Sequence, residues 1–280
     1  MMKHTLRLLT LNTHSHAEKQ YEDKLHAFAE GIAALQPDVI ALQEVSQTKS
    51  AAPAADLWGY YSPHPQVIIG EDNHLHRAIQ QLLHLGFPYY WTWLPIKTAY
   101  GNLTEGIGLM SRSPIINIQY SRISRTNDSE NWKRRMILGI QTQSQPDQMF
   151  FSTHMARWDD PEEPFLYQWK TTQSLLPTNQ TVWIMGDFNN SAHVRNEGYD
   201  CMLQSGWYDT FSMAQHHDAG ITVDRSIDGW RDQSLVTGMR MDQIWCNKPL
   251  SILRSQVVFD GKTLPVVSDH YGVAAEILLR

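Results

Sequence analysis

The residues able to do chemistry in this chain sit just behind apolar runs. Leu9-Thr10-Leu11 ends in Asn12, Ile40-Ala41-Leu42 runs into Gln43-Glu44, and Phe150-Phe151-Ser152-Thr153 reaches His154. Val182-Trp183-Ile184-Met185 opens into Gly186-Asp187-Phe188-Asn189, Asp242 precedes the apolar Ile244-Trp245, and Val266-Val267-Ser268 delivers Asp269-His270. Loops converge at strand ends while the sheet beneath stays rigid, so ligand and catalytic groups collect there. Asn12, Glu44 and Asp269 offer hard oxygen donors, which suit Mg²⁺ or Mn²⁺ better than zinc. His154 and His270 are candidates for protonation or charge stabilisation, and Asp187 beside Asn189 could orient a water. This inventory fits metal-assisted hydrolysis of a phosphate ester, in which the metal offsets charge on the transferred group.

Each residue also has an ordinary explanation. A lone Asp after a strand is usually a helix cap or turn residue, and a lone His is as often a satisfied core residue. Glu44 fits that explanation poorly, because Glu is a weak capper and a weak strand former. Six such positions, each behind an apolar run, are more than turn chemistry requires. The spacing alone leaves the structural and the functional reading both open.

Strands and helices alternate beneath these positions. Thr5–Leu11 reads as a strand, and Glu18–Leu35 sets Leu25, Phe28, Ala29 and Ile32 on one helical face. Val39–Leu42 suits a buried strand, 46–72 a long surface excursion, and a second helix carries Leu75, Ala78, Ile79, Leu82 and Leu83 up to Gly86. Further strands are expected at Ile107–Ser111, Thr181–Met185, Met241–Cys246 and Gly272–Leu278, with a hairpin from Ile137–Thr142 and Met149–His154. Helices are expected at Pro164–Leu175 and Glu197–Gln204. Without a linker-like tract, this pattern favours one layered α/β domain over residues 1–280 with a two-sheet core.

At these residues the sequence resembles the endonuclease/exonuclease/phosphatase superfamily, the DNase I-like fold. The matching segments are Leu9-Thr10-Leu11-Asn12, Leu42-Gln43-Glu44-Val45, Gly186-Asp187-Phe188-Asn189, Arg240-Met241-Asp242-Gln243-Ile244 and Ser268-Asp269-His270, in the family's order. The resemblance implies a four-layered α/β sandwich, two packed mixed sheets flanked by helices, and a Mg²⁺-dependent phosphoesterase for which Mn²⁺ could substitute. It implies that Glu44, with Asn12 and Asp269, holds the metal, and that Asp187 deprotonates the attacking water with help from Asn189. His270 would stabilise developing charge, with Asp242 orienting its ring. Glu105, before Gly106-Ile107-Gly108-Leu109, matches a family Glu whose partner corresponds to His154, a pair that would protonate the leaving oxygen.

Other segments are similar to the bacterial maltose 6'-phosphate phosphatase branch: Tyr90-Trp91-Thr92-Trp93, Pro161-Glu162-Glu163-Pro164-Phe165, Glu197-Gly198-Tyr199-Asp200 and Ile227-Asp228-Gly229-Trp230. The chain departs from that branch at Met155-Ala156-Arg157-Trp158 and over 94–104. The implied reaction is hydrolysis of a phosphate monoester on a small, sugar-like substrate by direct water attack. The alternative is a nuclease or another phosphodiesterase of the same fold.

Composition bears on that choice. The 280 residues carry 23 Lys+Arg against 29 Asp+Glu, a formal charge of −6, where a protein that tracks nucleic acid usually shows a basic surplus. Lys133-Arg134-Arg135 is the dense basic run, and Arg135, matching the related phosphatases, is a candidate bidentate contact to the substrate phosphate. Among the ten Trp residues, Trp183 and Trp245 lie within strands. Trp91, Trp93, Trp158, Trp169 and Trp230 fall in or beside expected loops, where a flat face could stack on a sugar ring, and Trp158 is the first candidate. His14-Ser15-His16 and His74-Leu75-His76 do not read as a zinc site. Two unpaired cysteines, Cys201 and Cys246, no secretory apolar stretch and no membrane-length run give the expectation of a cytoplasmic protein away from membranes.

Overall fold

The computed structural model describes residues 5–225, 227 and 238–279 and arranges the expected alternation as two sheets. The first runs from edge to edge as β10 (Ala214–His217), β12 (Ser251–Val258), β13 (Gly272–Leu278), β1 (Thr5–Asn12), β2 (Val39–Thr48), β4 (Leu103–Ser111) and β3 (Tyr90–Ala99). The second runs β5 (Ile115–Arg122), β6 (Met136–Thr142), β7 (Gln145–His154), β8 (Thr181–Asp187), β11 (Asp242–Cys246) and β9 (Tyr208–Asp209).

The strands read as continuous apolar runs because both of their faces are covered. Side chains alternate across a strand. In β1, Leu6 and Leu8 therefore enter the core between the sheets, while Leu9 and Leu11 meet the helices. Trp183 and Met185 of β8 likewise face the first sheet, and Val182 and Ile184 face outward to the opposite helical layer. Helices α1 (Tyr21–Leu35) and α2 (His74–His84) cover the first sheet through Leu25, Phe28, Ile32, Leu75, Ile79 and Leu82. Helices α3 (Phe165–Leu175) and α4 (Gly198–Gln204) cover the second through Phe165, Trp169, Tyr199 and Met202. The result is the four-layered α/β sandwich. No helix among the described residues is long and apolar enough to cross a membrane.

Three departures from the sequence reading have physical causes. Tyr90–Ala99 is a strand, not a loop, although Pro95 interrupts it. Pro cannot donate to a ladder, and the structure accommodates it on the sheet's edge with a register shift between Pro95 and Lys97. Trp91 and Trp93 are consequently core residues, 0% and 1% exposed, and Trp169 is buried inside α3, so none of the three stacks on a ligand. Trp230 lies outside the described residues. Helix α1 begins at Tyr21, not Glu18, because Ser15–Ala17 forms a separate 3-10 turn. The excursion expected over 46–72 is shorter, because β2 runs on to Thr48 and buries Ser46 and Gln47; it closes where Asn73 accepts from the Leu75 and His76 amides at 3.0 and 3.1 Å, the N-cap of α2.

Candidate active site

Strand register assembles the centre of the site. In the second sheet His154 of β7 pairs with Asp187 of β8, and Asp187 pairs with Asp242 of β11. Three polar residues thus form one row across the strand ends. Gly186 makes this spacing available, since a Cβ there would lie 1.9 Å from the Thr153 carbonyl oxygen. From the facing sheet, Asn12 at the end of β1 donates from Nδ2 to Glu44 Oε1 at 2.9 Å and to Asp187 Oδ2 at 3.2 Å. That amide joins the two sheets at the site. Ser268 Oγ donates to the Asn12 carbonyl at 2.7 Å, which brings Asp269 and His270 to the same mouth.

Two backbone irregularities aim side chains inward. Glu44 has φ +53° within a register shift between Leu42 and Val45, and Asn189 has φ +48°. Bulges and left-handed non-glycine residues are costly locally and cluster where a side chain must be re-aimed. The Asn189 amide donates to Asp187 Oδ1 at 2.8 Å. Its Nδ2 reaches His154 Nε2 at 2.9 Å and the Met155 carbonyl at 3.0 Å.

The two histidines are driven in opposite directions. Burial, then the fields of Arg135 and Lys97, pushes His154 well below its usual value. Neutral at Nε2, it can accept the Asn189 amide, which leaves the proton on Nδ1, 3.9 Å from Glu44 Oε1. Burial also works against charge on His270, but Asp242 and Asp187 outweigh it and hold the ring protonated. Its Nδ1–H donates to Asp242 Oδ2 at 2.8 Å, and Nε2 lies 3.8 Å from Asp187 Oδ2. Burial likewise raises the Asp187 carboxyl, partly countered by His270.

The donor set fits a hard divalent cation. Burial, with Glu105 and Asp269 nearby, pushes the Glu44 carboxyl up to about 7. A cation bound among Glu44, Asp269 and the Asn12 amide oxygen would remove that crowding of negative charge. Asp187, Asp242 and His270 also present ligand atoms within 4.8 Å of one another, as do His14, Glu18 and Asp269. The first of these groups is already joined internally by the bond between His270 and Asp242, leaving Asp242 Oδ1 unpartnered.

One expected pair is not in direct contact, although both of its residues line the same cavity. Glu105 does not meet His154; it faces Lys97 directly across the β3–β4 ladder, 3.1 Å from its Nζ. Lys97 and His14 are site residues that sequence reasoning did not single out. Burial opposes charge on His14, but the Glu18 hydrogen bond at 2.8 Å, with Asp269 and Glu44, raises it to about 9. A histidine two residues past Asn12 was the available signal for His14. Lys97, in a strand broken by Pro95, had none.

A cavity of about 760 Å³ opens over this centre. Its lining includes Glu44, Asp187, Asn189, His154, Asp269 and His270 together with Lys97, Glu105, Trp132, Lys133 and Arg135. Trp158 is not part of that lining; its ring packs on Phe165, with centroids 6.3 Å apart. The exposed indole at the cavity is Trp132, 61% accessible.

Solved structures share this architecture. An endonuclease/exonuclease/phosphatase family protein from Leptotrichia buccalis superposes with a TM-score of 0.87 at 29% identity, covering 98% of this chain and all of that one. A mannosyl-6-phosphatase from Bacteroides thetaiotaomicron gives 0.64 at 16% identity over 98% of this chain and all of that one. Truncated TDP2 from Caenorhabditis elegans gives 0.62 at 13% over 98% of each chain. The last two likenesses show the fold alone. Comparison with curated proteins gives no match. The sequence profile of the Endonuclease/Exonuclease/phosphatase family matches residues 9–270, so the chain belongs to that family and is a phosphoesterase hydrolase.

Proposed function

We propose that the protein is a Mg²⁺-dependent phosphomonoesterase acting on a small sugar phosphate in the cytoplasm. The observation that carries this reading is the fate of the dense basic run. Two of its three residues, Lys133 and Arg135, line the cavity: Arg135 is 6% exposed, and Lys133 pairs with Asp160 at 3.0 Å and Glu162 at 3.2 Å, while Arg134 bonds the Ile96 carbonyl. A basic run spent inside a cavity is no track for a polynucleotide. A volume of about 760 Å³ suits a small ligand. The mannosyl-6-phosphatase likeness is compatible with this, as is the maltose 6'-phosphate phosphatase resemblance.

When bound, the cation held by Glu44, Asp269 and Asn12 would offset charge on the phosphoryl oxygens. Asp187, held by the Asn189 amide, takes the proton of the attacking water as the ester P–O bond breaks, and the departing sugar oxygen takes up a proton from solvent. His270, charged and locked by Asp242, donates from Nε2 to a phosphoryl oxygen that gains negative charge. His154 in its neutral form fixes the Asn189 amide, and Arg135 binds the phosphate. Hydrolysis of a panel of sugar phosphates, single-stranded DNA and duplex DNA, each with Mg²⁺, Mn²⁺ or EDTA, tests the proposal. DNA turnover above that of every sugar phosphate would overturn it.

A further inference from the structure

One wall of the cavity carries more positive charge than its own carboxylate can balance. Lys97 Nζ and Arg135 Nη1 donate to the same oxygen, the Trp132 carbonyl, at 3.0 and 2.8 Å, so the two cationic heads are neighbours. They are 9% and 6% exposed, and both line the cavity. Among the described residues one carboxylate lies within ion-pair distance of either head, Glu105, 3.1 Å from Lys97 Nζ. Arg135 meets no carboxylate at that range among the described residues; its Nη1 bonds end on the Trp132 and Arg134 carbonyls, and its Nε is buried without a partner. Lys133 on the same segment is already neutralised by Asp160 and Glu162 and adds nothing to the surplus.

Burying two like charges side by side is costly unless an anion joins them. Burial and the neighbouring Arg135 in fact depress Lys97 against the opposing pull of Glu105 and Glu44. Asp187, Glu44 and Asp269, which would take the water and the cation, line the same cavity. A phosphate group in that cavity would present its unesterified oxygens to Lys97 and Arg135. Near neutral pH a monoester carries close to two negative charges, because its second ionisation falls near pH ~6, and a diester carries one.

Resting on the phosphoesterase reading of this site, we propose that Lys97 acts with Arg135 as a paired cationic clamp that recognises the second negative charge of a phosphate monoester, and so selects monoesters over diesters. Lys97 is then a specificity-determining residue supplied by an edge strand, positioned by its register opposite Glu105.

Two substrates with one leaving group test it: p-nitrophenyl phosphate and methyl p-nitrophenyl phosphate, assayed with Mg²⁺, with inorganic phosphate as a competitive inhibitor. Lys97→Met should lower the monoester-to-diester ratio of kcat/KM by about tenfold, the worth of one charge-assisted hydrogen bond, and weaken phosphate inhibition similarly. Lys97→Arg should restore most of both. Should Lys97→Met alone fail to fold because Glu105 is left unpaired, Lys97→Met/Glu105→Gln removes both charges together, and the same ratio is read. A ratio within about twofold of wild type in a folded variant overturns the clamp, since one lost ionic contact is worth more than that. A wild-type enzyme that prefers the diester overturns instead the phosphomonoesterase reading on which the clamp rests.

Discussion

His154 and His270 approach the same oxygen, Asp187 Oδ2, at 3.6 and 3.8 Å, yet their surroundings leave the first neutral and the second protonated. The difference lies in partners: His154 faces the cations Arg135 and Lys97, whereas His270 is bonded to the fully buried Asp242. Asp187→Asn should lower kcat by about 10²–10⁴-fold without unfolding the protein, the usual cost of losing a general base. Near-wild-type turnover would remove Asp187 from the mechanism. Asp242→Asn takes away what holds His270 protonated, so the ring would lose its proton at a lower pH. The alkaline limb of the kcat profile should therefore move down in pH, and an unmoved limb would assign Asp242 a structural role only. At the rim, Trp132→Ala should raise KM for a sugar phosphate more than for a simple aryl phosphate. Trp158→Ala, which opens a gap beside Phe165, should lower stability while leaving the ratio of those KM values unchanged.

Among elements, the strands that carry the site were legible because a polar residue adjoins an apolar run covered on both faces, although Glu44 proves to lie within β2 and Asp242 to open β11. Asn12, Glu44, Asp187 and Asp269 could be placed from that pattern, and the register of β7, β8 and β11 then brings His154, Asp187 and Asp242 into one row. Strand β3 was not legible. Pro95 argues against a strand, and only its position at the sheet edge makes it acceptable, so Lys97 and the burial of Trp91 and Trp93 stayed hidden. The Lys97–Glu105 pair depends on cross-strand register, which a single sequence does not display. Gly186→Ala should destabilise the fold by about 3 kcal/mol or more, because the added Cβ meets a backbone carbonyl that cannot turn aside. Helix α2 offers a pH test. His74, beneath Tyr21 and Phe28, is lowered to about 3 by burial, then by His16 and Arg77. The unfolded chain binds this proton first. Stability is therefore retained above pH ~6.5 and falls by about 1.4 kcal/mol per unit as pH drops toward 3. Urea midpoints at pH 7 and 5 should differ less for His74→Gln than for wild type.

For the whole molecule, the formal charge of −6 acquires a location. Part of the acidic surplus is the site itself, in Glu44, Asp187, Asp242 and Asp269, while Lys133 and Arg135 of the dense basic run line the cavity. Fields of opposite sign thus meet within about 760 Å³, an arrangement suited to a small anion and a cation together. The proposed activity is that of a metal-dependent monoesterase for a small sugar phosphate. Its most direct measurement is kcat/KM for sugar 6-phosphates against single-stranded and duplex DNA, in Mg²⁺ and again in EDTA. A sugar phosphate should be the better substrate, and EDTA should abolish its turnover. Faster cleavage of DNA, or full sugar-phosphate turnover in EDTA, would contradict it.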